Sequence, residues 1–141
     1  MTDYFKAPIE SLLPQAPPML MVDELLLSDS ERTISALRIL AQNIFTRNGH
    51  FCSEGLIENM AQTAALRAGI EAQKSGNSDL GKAYIGKIKN LIIRRLPPVD
   101  SFLRTKVFVT KKIENFAIVK AEVQCEDKRI ASCEMTILSN F

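Results

Sequence analysis

The sequence predicts an α+β protein in which one long helix packs against an antiparallel β-sheet. Over residues 54–74, apolar and small residues recur every three or four positions, which is the period of a helix with a buried face. On either side of this stretch, several runs alternate apolar and polar residues, as strands with one buried face do. The 141 residues are enough for one domain, residues 1–141, and require no second one.

The first part of the chain predicts a short helical turn and two strands. Residues 7–14 form the turn, which is closed by a proline because proline cannot continue a helix. Residues 19–27 and 32–40 are the strands, and the second has apolar residues in both phases, which predicts burial on both of its faces. Residues 43–48 are largely polar and predict a loop.

The predicted helix over residues 54–74 has a recognisable start. Ser53 is the expected N-cap, and Glu54 suits the positive end of the helix dipole. Alanine fills many of the apolar positions, so we expect a curved sheet to approach this helix closely. Residues 75–79, Ser-Gly-Asn-Ser-Asp, are turn-forming residues that end it.

The last third predicts antiparallel strands over residues 83–95, 102–112, 116–125 and 129–138, with turns at residues 97–100 and 126–128. In the third of these strands, the apolar positions from Ala117 to Val123 alternate with Lys120, Glu122 and Gln124. This strand therefore has one face directed to the core.

Composition excludes several classes of function. A net charge of +2 is too mild to indicate nucleic-acid binding, and no basic stripe contains interleaved aromatic residues. The longest uncharged run, residues 11–22, is interrupted by prolines and is too short to span a membrane. The first residues do not resemble a signal peptide, so we expect a cytoplasmic protein. The three cysteines lack the spacing of a zinc site, and we expect no bound metal.

Residues 49–62 contain the best candidates for catalysis. His50 is the only histidine, and histidine is the side chain whose unperturbed pKa lies nearest neutrality. Glu58 follows eight positions later, in the first turns of the predicted helix, and Gln62 lies one turn further on the same face. The backbone N–H groups of Gly55 and Leu56, expected to be unpaired at the helix N-terminus, would favour a developing negative charge.

Cys52 lies two positions from His50, which raises the alternative of a cysteine–histidine nucleophile. Nothing in the sequence indicates a third group that would orient such a pair. A small core thiol is the preferred interpretation.

Four stretches in this order resemble one family. They are Leu-Leu-Pro-Gln-Ala-Pro-Pro-Met-Leu-Met-Val-Asp at 12–23, Asn-Ile-Phe-Thr-Arg-Asn-Gly-His-Phe at 43–51, Gly-Leu-Ile-Glu-Asn-Met-Ala-Gln at 55–62, and Ile-Arg-Arg-Leu-Pro-Pro-Val-Asp at 93–100. Over nearly its whole length the chain resembles the hotdog-fold beta-hydroxyacyl-acyl-carrier-protein dehydratases of type II fatty acid synthesis. The resemblance implies a long central helix wrapped by a curved antiparallel sheet. It also implies a homodimer with joined sheets, which can assemble further into a hexamer as a trimer of dimers.

The resemblance implies an active site at the dimer interface, where His50 of one subunit faces Glu58 of the other. Its substrate is an acyl chain attached through phosphopantetheine to an acyl carrier protein, and no other cofactor is implied. Phe51, Gly55, Leu56 and Gln62 are then candidate substrate-binding residues, although Phe51 also fits a core position. Elimination of water needs a base for the C2 proton, an acid for the C3 hydroxyl and donors for the thioester oxygen.

Arg94 and Arg95 lie in the last of the four stretches and are the expected docking residues for the acidic carrier protein. Lys87, Lys89 and Lys106 are further basic residues in this part of the chain. The chain departs from the family in having only residues 51–54 between the histidine and the helix glycine, where the family usually has a longer loop. Shortened loops also occur in dehydratase-like proteins of aryl polyene synthesis, so a polyene or polyketide-like acyl chain is included in the prediction.

Two other functions remain open at this point. A hotdog acyl thioesterase would use a carboxylate to activate water and would release a free acid. A non-catalytic hotdog subunit would bind an acyl chain or a carrier protein without converting it. The presence of both His50 and Glu58 favours the dehydratase.

Overall fold

One long helix lies against a six-stranded antiparallel sheet in the computed structural model, which describes residues 7–76 and 83–139. The helices are α1 (Ile9–Leu12) and α2 (Ser53–Ser75). The strands are β1 (Glu24–Ser28), β2 (Arg32–Arg38), β3 (Thr46–Arg47), β4 (His50–Phe51), β5 (Ala83–Ile93), β6 (Phe102–Ile113), β7 (Phe116–Cys125) and β8 (Lys128–Ser139). The large sheet has the order β1-β2-β6-β7-β8-β5, and β3 and β4 form a separate hairpin. The predicted α+β class is confirmed.

Strand β7 shows how the residue pattern selects the face that meets the helix. Its buried positions alternate from Ala117 to Val123, as predicted, while Lys120 stays exposed. The turn to β8 consists of Glu126 and Asp127, both at positive φ, which suits a two-residue hairpin turn. The core therefore lies between the inner face of the sheet and α2.

Small residues allow α2 to pack closely on its neighbours. Ala64 and Ala68 are buried, and Gly69 faces the backbone of α1 so closely that a Cβ would overlap the carbonyl group of Leu12. The helix ends at Gly76, whose φ of 70° is a left-handed conformation that glycine adopts at little cost. The expectation of close approach to this helix is confirmed.

Buried polar side chains fix the position of α2 relative to the sheet. The Asn59 amide nitrogen donates to the Met21 carbonyl oxygen at 2.8 Å, and the Thr105 hydroxyl donates to the Asn59 amide oxygen at 2.6 Å. The Thr63 and Ser35 hydroxyls are 2.7 Å apart. All these side chains are buried and paired, so the network sets the position of the helix on β2 and β6.

Two strand predictions are confirmed in part. Strand β2 has buried residues in both phases, Thr33, Ile34 and Ser35, as its mixed pattern predicted. The strand predicted from residue 19 begins only at Glu24, as β1. Met21 and its neighbours are apolar and held by side chains of α2 instead of by a neighbouring strand, which is why the pattern was misleading.

Three local predictions need correction. Ser53 is the first helical residue and Cys52 occupies the N-cap position, without a side-chain cap bond. Residues 43–48 are not entirely loop, because Thr46–Arg47 form β3. The helix continues through Ser75, and residues 77–79 of the predicted turn lie outside the described residues.

Strand β5 lies at one edge of the sheet and pairs only with β8 among the described residues. Every residue from 84 to 92 is exposed, including Tyr84, Ile88, Leu91 and Ile92. Within the described ranges, neither helix has the length and apolar character needed to cross a membrane.

Candidate active site

A two-residue hairpin turn presents His50 to solvent. Asn48 and Gly49 connect β3 to β4 with φ values of 53° and 76°, as the primed turns of tight hairpins require. The His50 side chain is exposed, and its Nδ1 lies 3.1 Å from the Asn48 carbonyl oxygen. Because a carbonyl oxygen only accepts hydrogen bonds, this contact places the proton of neutral His50 on Nδ1. Its Nε2 is then the basic nitrogen.

The hairpin is fixed by the turn that follows β5. The Phe51 N–H donates to the Pro97 carbonyl oxygen at 2.9 Å, and the Val99 N–H donates to the Gly49 carbonyl oxygen at 2.9 Å. Two backbone bonds therefore hold the segment that contains His50 on both sides. The last of the four family-like stretches, residues 93–100, thus supports the histidine.

Phe51 connects the hairpin to the start of α2. Its ring is fully buried and lies edge-on to Phe45, with ring centroids 6.4 Å apart. A Cβ at Gly55 would overlap the Phe51 ring, so glycine is required for this contact. In this chain Phe51 is a core residue next to the site, and its predicted contact with substrate stays a prediction.

The expectation of unpaired N–H groups at Gly55 and Leu56 is wrong. Both donate to the Cys52 carbonyl oxygen, at 3.0 and 3.2 Å, because the helix begins one residue earlier than predicted. The backbone N–H groups of Ser53 and Glu54 have no hydrogen-bond partner in the described part of the chain. They are the donors available at this helix end. A substrate-binding role of Gly55 or Leu56 stays a prediction.

Gln62 holds Glu58 in place. The Gln62 amide nitrogen donates to Glu58 Oε1 at 2.9 Å and to the Met19 carbonyl oxygen at 2.8 Å. The Gln62 amide oxygen accepts from the Met21 N–H at 2.6 Å. Gln62 is 1% exposed, and both of its amide hydrogens are used. The structure therefore places Gln62 as a residue that orients Glu58, and its predicted contact with substrate stays untested.

Glu58 is half-buried and lines a cavity of about 170 Å³. Apart from Gln62, the polar residue that shares this cavity is Gln15, which the sequence analysis did not identify. The remaining wall is apolar and consists of Ala61, Ala65, Ala83, Ile85 and Ile137. His50 does not line this cavity and makes no hydrogen bond to Glu58 within the described residues. One chain therefore does not bring the two predicted catalytic residues together.

The cysteines show no arrangement for nucleophilic catalysis. Cys125 and Cys133 are buried, and Cys52 is half-buried without a hydrogen bond from its sulfur in the described residues. Burial raises the pKa of the Cys133 thiol to about 11, and the nearby Glu134 charge adds to the effect. A raised pKa makes Cys133 a poor nucleophile.

The basic residues near the end of β5 do not form one cluster. Arg94 and Arg95 are exposed, and neither guanidinium pairs with a carboxylate in the described ranges. Lys87 and Lys89 lie on β5 itself. Lys106 lies on β6, three strands away in the sheet, where it contacts Glu122 at 3.8 Å.

A six-stranded antiparallel sheet packed on one long helix is the arrangement of a hotdog-fold protein. The chain belongs to the ApeP-like family, described as ApeP dehydratase, whose profile matches residues 7–140. The resemblance to hotdog dehydratases identified in the sequence is thereby confirmed.

Among curated proteins, the chain is 27% identical to a 3-hydroxyacyl-[acyl-carrier-protein] dehydratase FabZ of Lactobacillus helveticus, over 94% of this chain and 90% of that protein. Its fold is similar to a chain of the dehydratase heterocomplex ApeI:P from Xenorhabdus doucetiae, with a TM-score of 0.87 and 15% identity over 97% of this chain and 93% of the other. A hypothetical thioesterase from Streptococcus pneumoniae, solved with coenzyme A, is similar with a TM-score of 0.67 and 8% identity, over 83% and 84%. The structural likenesses show the hotdog fold.

Proposed function

We propose that this protein removes water from 3-hydroxyacyl thioesters presented on an acyl carrier protein, giving trans-2-enoyl thioesters for fatty acid or polyene synthesis. The observation on which the proposal mainly depends is the Glu58 carboxylate, which Gln62 holds at the wall of a largely apolar cavity. Membership of a dehydratase family and similarity to FabZ support the reaction type.

The proposed chemistry is acid–base catalysis without a covalent intermediate. His50 Nε2 removes the C2 proton, and the electron pair of that C–H bond forms the C2–C3 double bond. The C3–O bond breaks with its electrons moving to oxygen, which takes a proton from Glu58 and leaves as water. The N–H groups of Ser53 and Glu54, at the positive end of α2, are candidate donors for the thioester oxygen.

The proposed site needs a second subunit, because His50 is exposed outside the cavity that Glu58 lines. Strand β5 supports such an assembly: its outer edge lacks a partner in the described chain, and its exposed residues are largely apolar. We propose that β5 strands of two copies pair, so that His50 of one subunit faces Glu58 of the other. Further assembly of dimers into a hexamer is compatible with this arrangement.

A hybrid dimer tests whether the site is shared. His50→Ala and Glu58→Gln subunits with different affinity tags are coexpressed, and the doubly tagged dimer is isolated. A shared site leaves one intact site per hybrid dimer, so we expect about half of the wild-type turnover although each variant alone is inactive. An inactive hybrid would show that each site uses His50 and Glu58 of the same chain.

The second subunit is testable separately, since the Xenorhabdus relative comes from a heterocomplex. Light scattering of the purified protein should give a dimer. If the purified protein is a monomer and forms a dimer only with a second hotdog protein, the proposed homodimer is wrong and the assembly is heteromeric.

The carrier protein is proposed to dock at Arg94 and Arg95, whose exposed guanidinium groups suit an acidic surface. The substrate brings its own phosphopantetheine arm, and the proposed chemistry uses no metal or redox cofactor. We place the protein in the cytoplasm.

Mass spectrometry of intact carrier-protein thioesters distinguishes the candidate functions. The protein is incubated with 3-hydroxyacyl and polyene-type 3-hydroxyacyl carrier proteins, with His50→Ala in parallel. Loss of water with the wild type alone supports the dehydratase. Release of free acid would establish the thioesterase, and unchanged thioesters throughout would favour a non-catalytic binding subunit.

A further inference from the structure

One residue that lines the cavity beside Glu58 has a buried polar atom that the proposed acid–base pair does not use. Among buried side-chain nitrogen and oxygen atoms of the described residues, Gln15 Oε1 alone has no hydrogen-bond partner. Gln15 lies between α1 and the Pro17–Pro18 bend and lines the same cavity as Glu58. Buried acceptors in folded proteins are almost always paired, so an unpaired one on a residue that lines a cavity points to a partner that the side chain meets when the cavity is filled.

The chemistry of the cavity limits what that partner can be. Gln15 Oε1 is an acceptor, and Glu58 has one oxygen paired with Gln62 and a second, Oε2, without a hydrogen bond in the described chain. The rest of the wall is alanine and isoleucine. A volume of about 170 Å³ exceeds that of one or two water molecules. A hydroxyl group on an alkyl chain fits this combination of two oxygen-bearing side chains in one cavity and an otherwise largely apolar wall.

We propose that Gln15 binds the C3 hydroxyl of the substrate and orients it toward Glu58, an inference that rests on the proposed dehydratase function. The hydroxyl hydrogen is donated to Gln15 Oε1, which directs a lone pair of the hydroxyl oxygen to the acid proton of Glu58. As the C3–O bond breaks and the oxygen takes the Glu58 proton, the leaving group becomes water. Its original hydrogen becomes a stronger donor, so the bond to Gln15 strengthens as the reaction proceeds.

This role is separate from that of Gln62. Gln62 uses both amide hydrogens and its oxygen within the protein and acts on Glu58. Gln15 Oε1 has no partner in the protein and would contact the substrate directly. Gln15 therefore recognises the 3-hydroxyl group, and acyl thioesters without that group lose this bond.

Binding experiments test the inference without turnover. In the His50→Ala background, a 3-hydroxyacyl carrier protein and the saturated acyl carrier protein of equal chain length are titrated by calorimetry. One neutral hydrogen bond corresponds to roughly 5- to 10-fold tighter binding of the hydroxyacyl form. Gln15→Leu should lower this preference by that factor, by weakening the hydroxyacyl complex only, whereas Gln124→Leu, which replaces an exposed glutamine outside the cavity, should preserve it.

Stability measurements separate this role from a structural one. Because Gln15 Oε1 has no partner in the protein, Gln15→Leu should leave the melting temperature and the dimer unchanged, and Gln15→Met is a second variant of similar length. A weaker dimer would show that Gln15 pairs with the other subunit and would overturn the inference. Equal weakening of both thioesters, or an unchanged preference, would also overturn it. A wild type that binds with the preference but does not release water would contradict the proposed function alone.

Discussion

Replacing Gln62 by leucine should destabilise the protein more than any exposed glutamine change. The replacement has similar volume but removes three hydrogen bonds, to Met21, Met19 and Glu58. The Met21 N–H is buried and would lose its partner, which costs about 1–3 kcal/mol. The Met19 carbonyl belongs to an exposed residue and can bind water, so its loss adds at most about 1 kcal/mol.

The expected total is about 1–4 kcal/mol, which corresponds to a urea midpoint lower by roughly 0.5–2 M for a domain of this size. Unfolding is followed by circular dichroism at one protein concentration for all variants, so that any association of subunits contributes equally to each urea midpoint. Gln73→Leu is the matched control: it lies on the same helix, is exposed and donates one bond to the Ser11 carbonyl oxygen at 3.1 Å. Its cost should stay within about 0.5 kcal/mol. Equal urea midpoints for the two variants would refute the conclusion that the Gln62 hydrogen bonds to Met19 and Met21 stabilise the protein.

Two further predictions concern packing and ionisation. Gly69→Ala should lower the free energy of unfolding by roughly 1–3 kcal/mol because the added Cβ meets the Leu12 backbone. In thermal melting, Gly86→Ala should cost clearly less, because a Cβ there lies 3.4 Å from a Leu138 methyl group. Equal costs would contradict the close contact of α1 and α2. Burial raises the pKa of Cys133 from its ordinary value of 9.0 to about 11, so the thiol's contribution to stability is complete below pH 9 and is lost as the pH rises toward 11. Urea midpoints of the wild type should therefore fall more steeply over this range than those of Cys133→Ala, and parallel curves would contradict the raised pKa.

The order and type of the main elements follow from the residue pattern alone. The strand predicted over residues 116–125 has the bounds of β7, because its alternation is regular and its turn residues are local signals. The start of β1 could not be found in this way. Met21 is apolar and buried, but its backbone is paired with the side chains of Asn59 and Gln62, which are distant in sequence.

The candidate site was partly predictable. His50 and Glu58 are recognisable from residue type and order, but the hairpin that presents His50 was missed, although Asn48-Gly49 is a strong turn signal. A shift of one residue at the start of α2 changes which N–H groups are unpaired, and helix ends are the least certain part of a sequence-based prediction. Gln15 has no local signal, because its importance depends on a cavity formed by residues far away in the chain.

Strand β5 has a consequence for how the protein behaves when dilute. Exposed apolar residues on a strand with an unpaired edge invite pairing with other chains, and such an edge is also where aggregation begins. If another subunit covers this edge, part of the free energy of unfolding comes from association. The melting temperature then rises with protein concentration. In that case a newly synthesised chain is most vulnerable before a second subunit covers β5.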